Sequence, residues 1–150
     1  MDFSEAITII SEYFRIKNWA QNEFGERYAV LDENIELKIF QGNSDTLVAQ
    51  GIIGEPITNP SLANANENKL KFALQNNFIR IVKHDETLAI DKRSGRISVT
   101  RYIKLMNASL DSILDSIESF VDSVDFWDTL IQRKQSFAVI SPLLGFFRRQ

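Results

Sequence analysis

The first candidate for acid–base chemistry in this chain is His84, the single histidine among 150 residues. It stands in the run His84-Asp85-Glu86, a base beside two carboxylates. Consecutive side chains of a strand point to opposite faces, so adjacency does not make these residues a relay. No serine in a nucleophile-elbow context accompanies them. Three such residues without further ligands at a defined interval are not a metal motif either. The pattern "GIIGEP" (51–56) lacks both the lysine and the spacing of a phosphate-binding loop. There is no cysteine, which removes thiol nucleophiles, thiolate metal sites and disulfides together and fits a reducing compartment. His84 reads as a loop residue, and the expectation is a protein with neither catalytic group nor cofactor.

What remains is charge and apolar surface. Asp111, Asp115, Glu118, Asp122 and Asp125 share one side of a helical stretch. That strip is either a solvated face or a docking site for a basic partner. The net charge is −3, and the dense basic pairs are Lys92-Arg93, Arg133-Lys134 and Arg148-Arg149. No basic stripe exists to displace phosphate counterions, so nucleic acid is not the expected partner. No apolar run reaches the roughly 20 residues that cross a bilayer, and the acidic start lacks the basic segment of a signal peptide. With 44% hydrophobic and 25% charged residues, the composition is that of one globular domain.

The elements follow from periodicity. Phe3, Ala6, Ile7, Ile10, Tyr13 and Phe14 repeat at helical spacing, Asp2 and Glu5 make a capping box, and Ile9, Ile16 and Ala20 widen the apolar arc. This predicts a helix over 3–20, with Gly25 as its stop. Strands are predicted over 27–32, 34–40 and 46–54, the second with Ile35, Leu37 and Ile39 alternating against Glu36 and Lys38. The stretch 55–68 reads as a long loop, 68–77 as a short helix apolar on two faces, and 78–83 as undecided between helix and strand. Residues 87–105 form a hairpin turning at Ser94-Gly95. A long helix capped by Asn107 or Ser109 then carries the stripe Leu110, Ile113, Leu114, Ile117, Phe120, Val121, Val124, Trp127 and Ile131. Phe126 and Leu130 lie off that stripe and need cover. The order α-β-β-β-α-β-β-α predicts an α+β fold of a twisted antiparallel sheet with three helices. The expected organisation is a domain over 1–135 and an apolar tail over 136–150, to be packed on the domain, on a second copy or on a membrane surface.

Two segments carry a family resemblance. "LAIDKRSGRISV" (88–99) is similar to a Leu-Gly-Leu-Asp, turn, Gly-x-hydrophobic hairpin, and "LDSILDSIESFVDSVDFWDTLI" (110–131) resembles the closing helix that follows it. "LQNN" (74–77) resembles the ending of the preceding helix. Together with the element order, these resemble the class I type III secretion chaperones, the Tir-chaperone-like family. Ala89 stands where that pattern has glycine, and the tail is longer than its usual ending.

The resemblance implies a cytoplasmic bacterial homodimer, with Leu70, Phe72, Ala73, Leu74 and Leu88 at the two-fold interface. It implies binding of the N-terminal segment of a cognate secreted effector in extended form, kept soluble for export without ATP, partly by strand addition to a sheet edge. Apolar patches of the first helix and first strands would receive that segment, through Ile9, Tyr13, Ile16, Ala20, Leu37 and Ile39. Trp127 is then core. The alternative on the same element order is an immunity or adaptor protein that holds a folded partner through the acidic strip.

Overall fold

Asp2 starts the first helix as its spacing to Glu5 predicts. The computed structural model of the chain describes residues 1–31, 35–43, 45–53, 60–76, 81–83, 85–90 and 95–148, with backbone alone for 60–66, 76 and 132–148. In helix α1 (Phe3–Tyr13) the Asp2 carboxylate accepts from the Glu5 amide at 2.8 Å. The Glu5 carboxylate accepts in turn from the Asp2 amide at 3.0 Å. The helix closes seven residues earlier than the apolar arc suggests. Arg15 takes the left-handed conformation (φ 56°), its amide donates to Glu12 O, and the Ile16 amide donates to Ser11 O at 2.8 Å. That is a Schellman closure built on arginine where glycine is usual, so composition does not announce it. Ile16 and Ala20 are therefore not helical. Gly25 (φ 78°) instead shapes a turn that follows an unforeseen two-residue strand, β1 (Ala20–Gln21).

The three strands that follow, β2 (Arg27–Leu31), β3 (Ile35–Gln41) and β4 (Thr46–Ile53), lie within a residue of their expected bounds. Helix α2 runs Pro60–Asn76, so much of the stretch read as loop is helix, with Pro60 at the first position, where a missing N–H is harmless. Asparagine-rich composition had hidden it. Residues 81–83 are helical, which decides that part of 78–83. His84 and residues 32–34 and 91–94 lie outside the described residues. β5 (Glu86–Ile90) and β6 (Ile97–Lys104) complete an antiparallel sheet of order β1-β2-β3-β4-β6-β5.

The last helix, α3 (Leu110–Arg148), begins at Ser109. Its hydroxyl accepts from the Ser112 amide and its carbonyl from the Ile113 amide. Ile113, Ile117, Phe120, Val124, Trp127 and Ile131 are all at most 5% exposed and recur at alternating steps of four and three. Leu110, placed on that stripe by its spacing, is exposed instead, while Phe126 and Leu130 are half buried against the core. At the level of the backbone, the helix runs on to Arg148.

Register sorts the strand residues into two faces. One row across the sheet is Leu37, Gly51, Val99 and Leu88, and the next is Ile39, Ala49, Arg101 and Glu86. This inner face meets α3. A Cβ on Gly51 would fall deep inside the contact distance of Val124 Cγ2, so the helix crosses the sheet where the strand has no side chain. Beside it, Arg101 Nη2 lies 2.5 Å from Glu86 Oε1, and the Trp127 indole donates to Glu86 Oε2 at 3.0 Å. Arg101 also donates to Ser116 O and to the hydroxyls of Ser119 and Ser123.

Two outcomes are expected. Gly51→Ala lowers unfolding stability in urea by about 1–3 kcal/mol, through overpacking against Val124. Glu86→Leu costs about 3–5 kcal/mol because it strands a buried guanidinium, and adding Arg101→Met restores most of the loss.

Candidate functional site

Helices α1 and α2 both pack against α3, which places the three on the inner side of the sheet. The opposite face carries the alternate residues of each strand: Tyr28 opposite Lys38, Val30 opposite Glu36, and Phe40, Val48 and Tyr102 in one row. It is apolar in patches and partly open to solvent: Val30 is 62% and Tyr102 60% exposed, whereas Val48, Ser98 and Thr100 are buried. Strand β1 is too short to finish the edge. It pairs only with Arg27 and Tyr28, so among the described residues no strand covers the outer side of Ala29, Val30 and Leu31. An extended segment could continue the sheet there with backbone hydrogen bonds alone.

Two hollows flank this strand and share Tyr28 and Lys38. One, of about 510 Å³, opens beside the unpaired edge between Ala20, Val30, Ile52 and the Arg96–Glu36 ion pair, whose charged atoms are 2.6 Å apart. The other, of about 790 Å³, lies at the sheet corner between Phe3, Phe24, Arg27 and Phe40.

A knot of polar contacts makes their shared wall stiff. The Asn22 side-chain oxygen accepts from the amides of Phe24 and Glu26, both at 3.0 Å. Its amide group donates to Glu26 Oε1 at 2.7 Å and to the Tyr28 hydroxyl at 3.1 Å. Lys38 Nζ sits 3.3 Å from Glu26 Oε2 and over the rings of Tyr28 and Phe40. Burial pushes the Glu26 carboxyl upward, but the hydrogen bond from Asn22 together with the charge and hydrogen bond of Lys38 outweighs it, and the group is held below its ordinary value. The pinned turn leaves Phe24 63% exposed at its tip.

The residues expected to receive a partner are scattered relative to this site. Ala20 is exposed and lines the edge hollow. Ile9 and Ile16 are half buried against the core. Leu37 and Ile39 are 1% and 0% exposed, closed in the inner layer, so their side chains present no surface. Tyr13 is exposed but belongs to a different region. Its hydroxyl meets Glu118 of the acidic strip, and that hydrogen bond and charge, with Asp122 and Asp115 nearby, raise its pKa. Of the residues expected at a two-fold interface, Ala73 and Leu88 are already buried in the single chain, Leu70 and Phe72 are half buried, and Leu74 is 36% exposed. Sequence reasoning missed Phe24, Arg27, Tyr28, Val30 and Lys38. The signal was Val30 and Phe40 on the same strand phase as Glu36 and Lys38, apolar residues on a face that needs none.

Among the described residues no cluster of acidic or histidine side chains could hold a metal ion, and no helix is long and apolar enough to cross a membrane. No family model matches the chain, and no curated protein matches it in sequence. Solved structures do match. The HopA1-SchA chaperone–effector complex is 15% identical with a TM-score of 0.57, over 85% of this chain and 93% of that one. The ExsC-ExsE complex is 15% identical with a TM-score of 0.64, over 87% and 97%. The Yersinia pestis type III secretion chaperone SycH, bound to a stable fragment of YscM2, is 16% identical with a TM-score of 0.52, over 83% and 98%. The chain has the fold of the class I type III secretion chaperones.

The Glu26 knot predicts a pH dependence. A carboxyl depressed in the folded state contributes stability that is complete above its unfolded value of about 4.3 and is lost as pH falls through the folded value. Urea unfolding at about pH 6 and about pH 3 measures it: Glu26→Gln flattens the acid loss of stability relative to the unchanged protein.

Proposed function

We propose that this protein is a secretion chaperone, acting without catalysis, that binds an N-terminal segment of a secreted effector in extended form and keeps it soluble for export. The observation that carries the reading is the unfinished edge of β2. It lies beside an exposed apolar sheet face, on a fold whose solved examples include chaperone–effector complexes. An extended segment adding to that edge gains main-chain hydrogen bonds, while alternate side chains enter the hollows on either side of Tyr28. Ala20 and the exposed Val30 would border it. Ile9 and Ile16 would contribute their partly exposed surface, and Leu37 and Ile39 would support the floor from within. Tyr13 stands apart from that path and would meet the segment only if it wraps onward across α1.

The same reading makes the protein a homodimer. Leu70, Phe72 and Leu74 of α2 would supply the contact, with Ala73 and Leu88 as the packed layer beneath it. An isologous interface would bury these apolar side chains twice over.

The test is co-purification of the tagged protein with its partner from source cells, followed by limited proteolysis of the complex. The expected result is one larger protein, at two chaperone chains per client, with protection confined to a stretch near the client's N-terminus. Val30→Asp is expected to release the client without unfolding the chaperone. Sedimentation is expected to give a dimer that Leu74→Glu converts to a monomer. A partner protected as an intact folded domain, and lost on charge reversal at Asp115, Glu118 and Asp122, would overturn the reading in favour of an adaptor or immunity protein.

A further inference from the structure

The corner hollow has a charge that runs against the rest of the molecule. The chain as a whole is acidic, at −3, yet this groove is lined by two cations, Arg27 and Lys38, and by one carboxylate, Glu26. Glu26 is committed: it holds Lys38 at 3.3 Å and accepts from Asn22. Arg27 is in a different position. Its guanidinium carbon lies 5.3 Å over the ring of Phe3, half buried, and among the described residues no carboxylate pairs with it. A guanidinium already partly desolvated and fixed on an aromatic face is prepared to take a planar anion, because little further ordering is needed to form two parallel hydrogen bonds. Around it stand Phe24 and Phe40, the first well exposed on a turn that Asn22 pins at two amides.

Resting on the chaperone reading above, we infer that this groove selects the client by chemistry. It takes an extended peptide that sets an Asp or Glu carboxylate on Arg27 and a neighbouring apolar or aromatic side chain against Phe24. The edge of β2 would then supply affinity for any extended chain, and Arg27 the discrimination among them. A peptide bringing an amide at that position would leave the guanidinium shielded from water and without its anion, which is the more costly error.

The probe is a pair of synthetic peptides of alternating apolar and polar residues, identical except for a central Asp or Asn. Each is titrated into the full-length protein labelled with ¹⁵N, followed through its backbone amides and the Arg27 Nε–H. The Asp peptide is expected to bind about tenfold more tightly, to shift the Arg27 Nε–H resonance, and to lose its advantage as salt is raised. Arg27→Gln is expected to bring both peptides to the weaker value. Phe24→Ser, at an exposed position that leaves the fold intact, is expected to weaken both by a similar factor.

Equal binding of the two peptides would overturn the inference. So would an Arg27→Gln protein that still discriminates between them, or no binding of either below about 1 mM. The two proposals fail separately. A charge preference in the peptides with no co-purifying client would remove the chaperone reading and leave the groove's selectivity. A protected client segment with no charge preference would do the reverse.

Discussion

The buried contact between Glu86 and Arg101 is the constraint on which the rest of this protein depends. It joins the edge strand β5 to the inner strand β6 in the middle of the face that α3 must cover. Two ions can be held there only if most of their remaining hydrogen-bonding groups are answered. The helix supplies the Trp127 indole, the Ser116 carbonyl and the hydroxyls of Ser119 and Ser123, and leaves Arg101 Nε as the one buried nitrogen of the pair without a partner among the described residues. Burying such a pair is not in itself a large source of stability, because desolvation offsets most of the attraction. What it supplies is register. A one-residue slip of β5 on β6 would turn Glu86 to the other face and leave the guanidinium alone beneath Phe120. Gly51 then sets how closely the helix lies, and the two together fix α3 across the strands.

With helices packed on one side, the other side and the ends carry no helix among the described residues. The sheet's six strands are unequal: β1 is two residues long, whereas β2 beside it is five. The difference leaves Ala29, Val30 and Leu31 of β2 without a neighbouring strand on that side among the described residues, beside the smaller hollow. No group on this surface has the arrangement of a nucleophile and its base. Two of its cations are tied in pairs, Lys38 to Glu26 and Arg96 to Glu36, and these pairs shape a wall.

Much of the fold was legible in the sequence wherever periodicity had room to act. The stripe from Ile113 to Ile131 and the strands at 27–31, 35–41, 46–53, 86–90 and 97–104 are long enough to show their period, and the capping box at Asp2 is a local signal. Three features had no such signal. Arg15 closes α1 in a conformation that composition associates with glycine. A two-residue strand has no alternation to read, and α2 starts in a run of asparagines. The site was less legible, for a different reason. Leu37 and Ile39 looked like a partner's landing place because they are the apolar phase of β3, but the domain's own core consumes that phase. The phase left on the outer face is the mixed one, with Phe40 and Lys38. The corner groove gathers residues 3, 24, 27, 38 and 40 through a turn and a pairing register, neither of which a linear pattern displays.

The unfinished edge of β2 has a consequence for the protein when it is alone. An open strand edge does not distinguish one extended chain from another, and edge-to-edge growth is the ordinary route by which sheet proteins precipitate. Charged side chains guard the approach here: Glu36 and Arg96 at one end, Lys38 and Glu26 at the other. An incoming strand would have to pass these ion pairs and take part of their water away to reach the edge. The ion pairs that shape the groove are in that sense gatekeepers, which raise the cost of indiscriminate pairing at the edge.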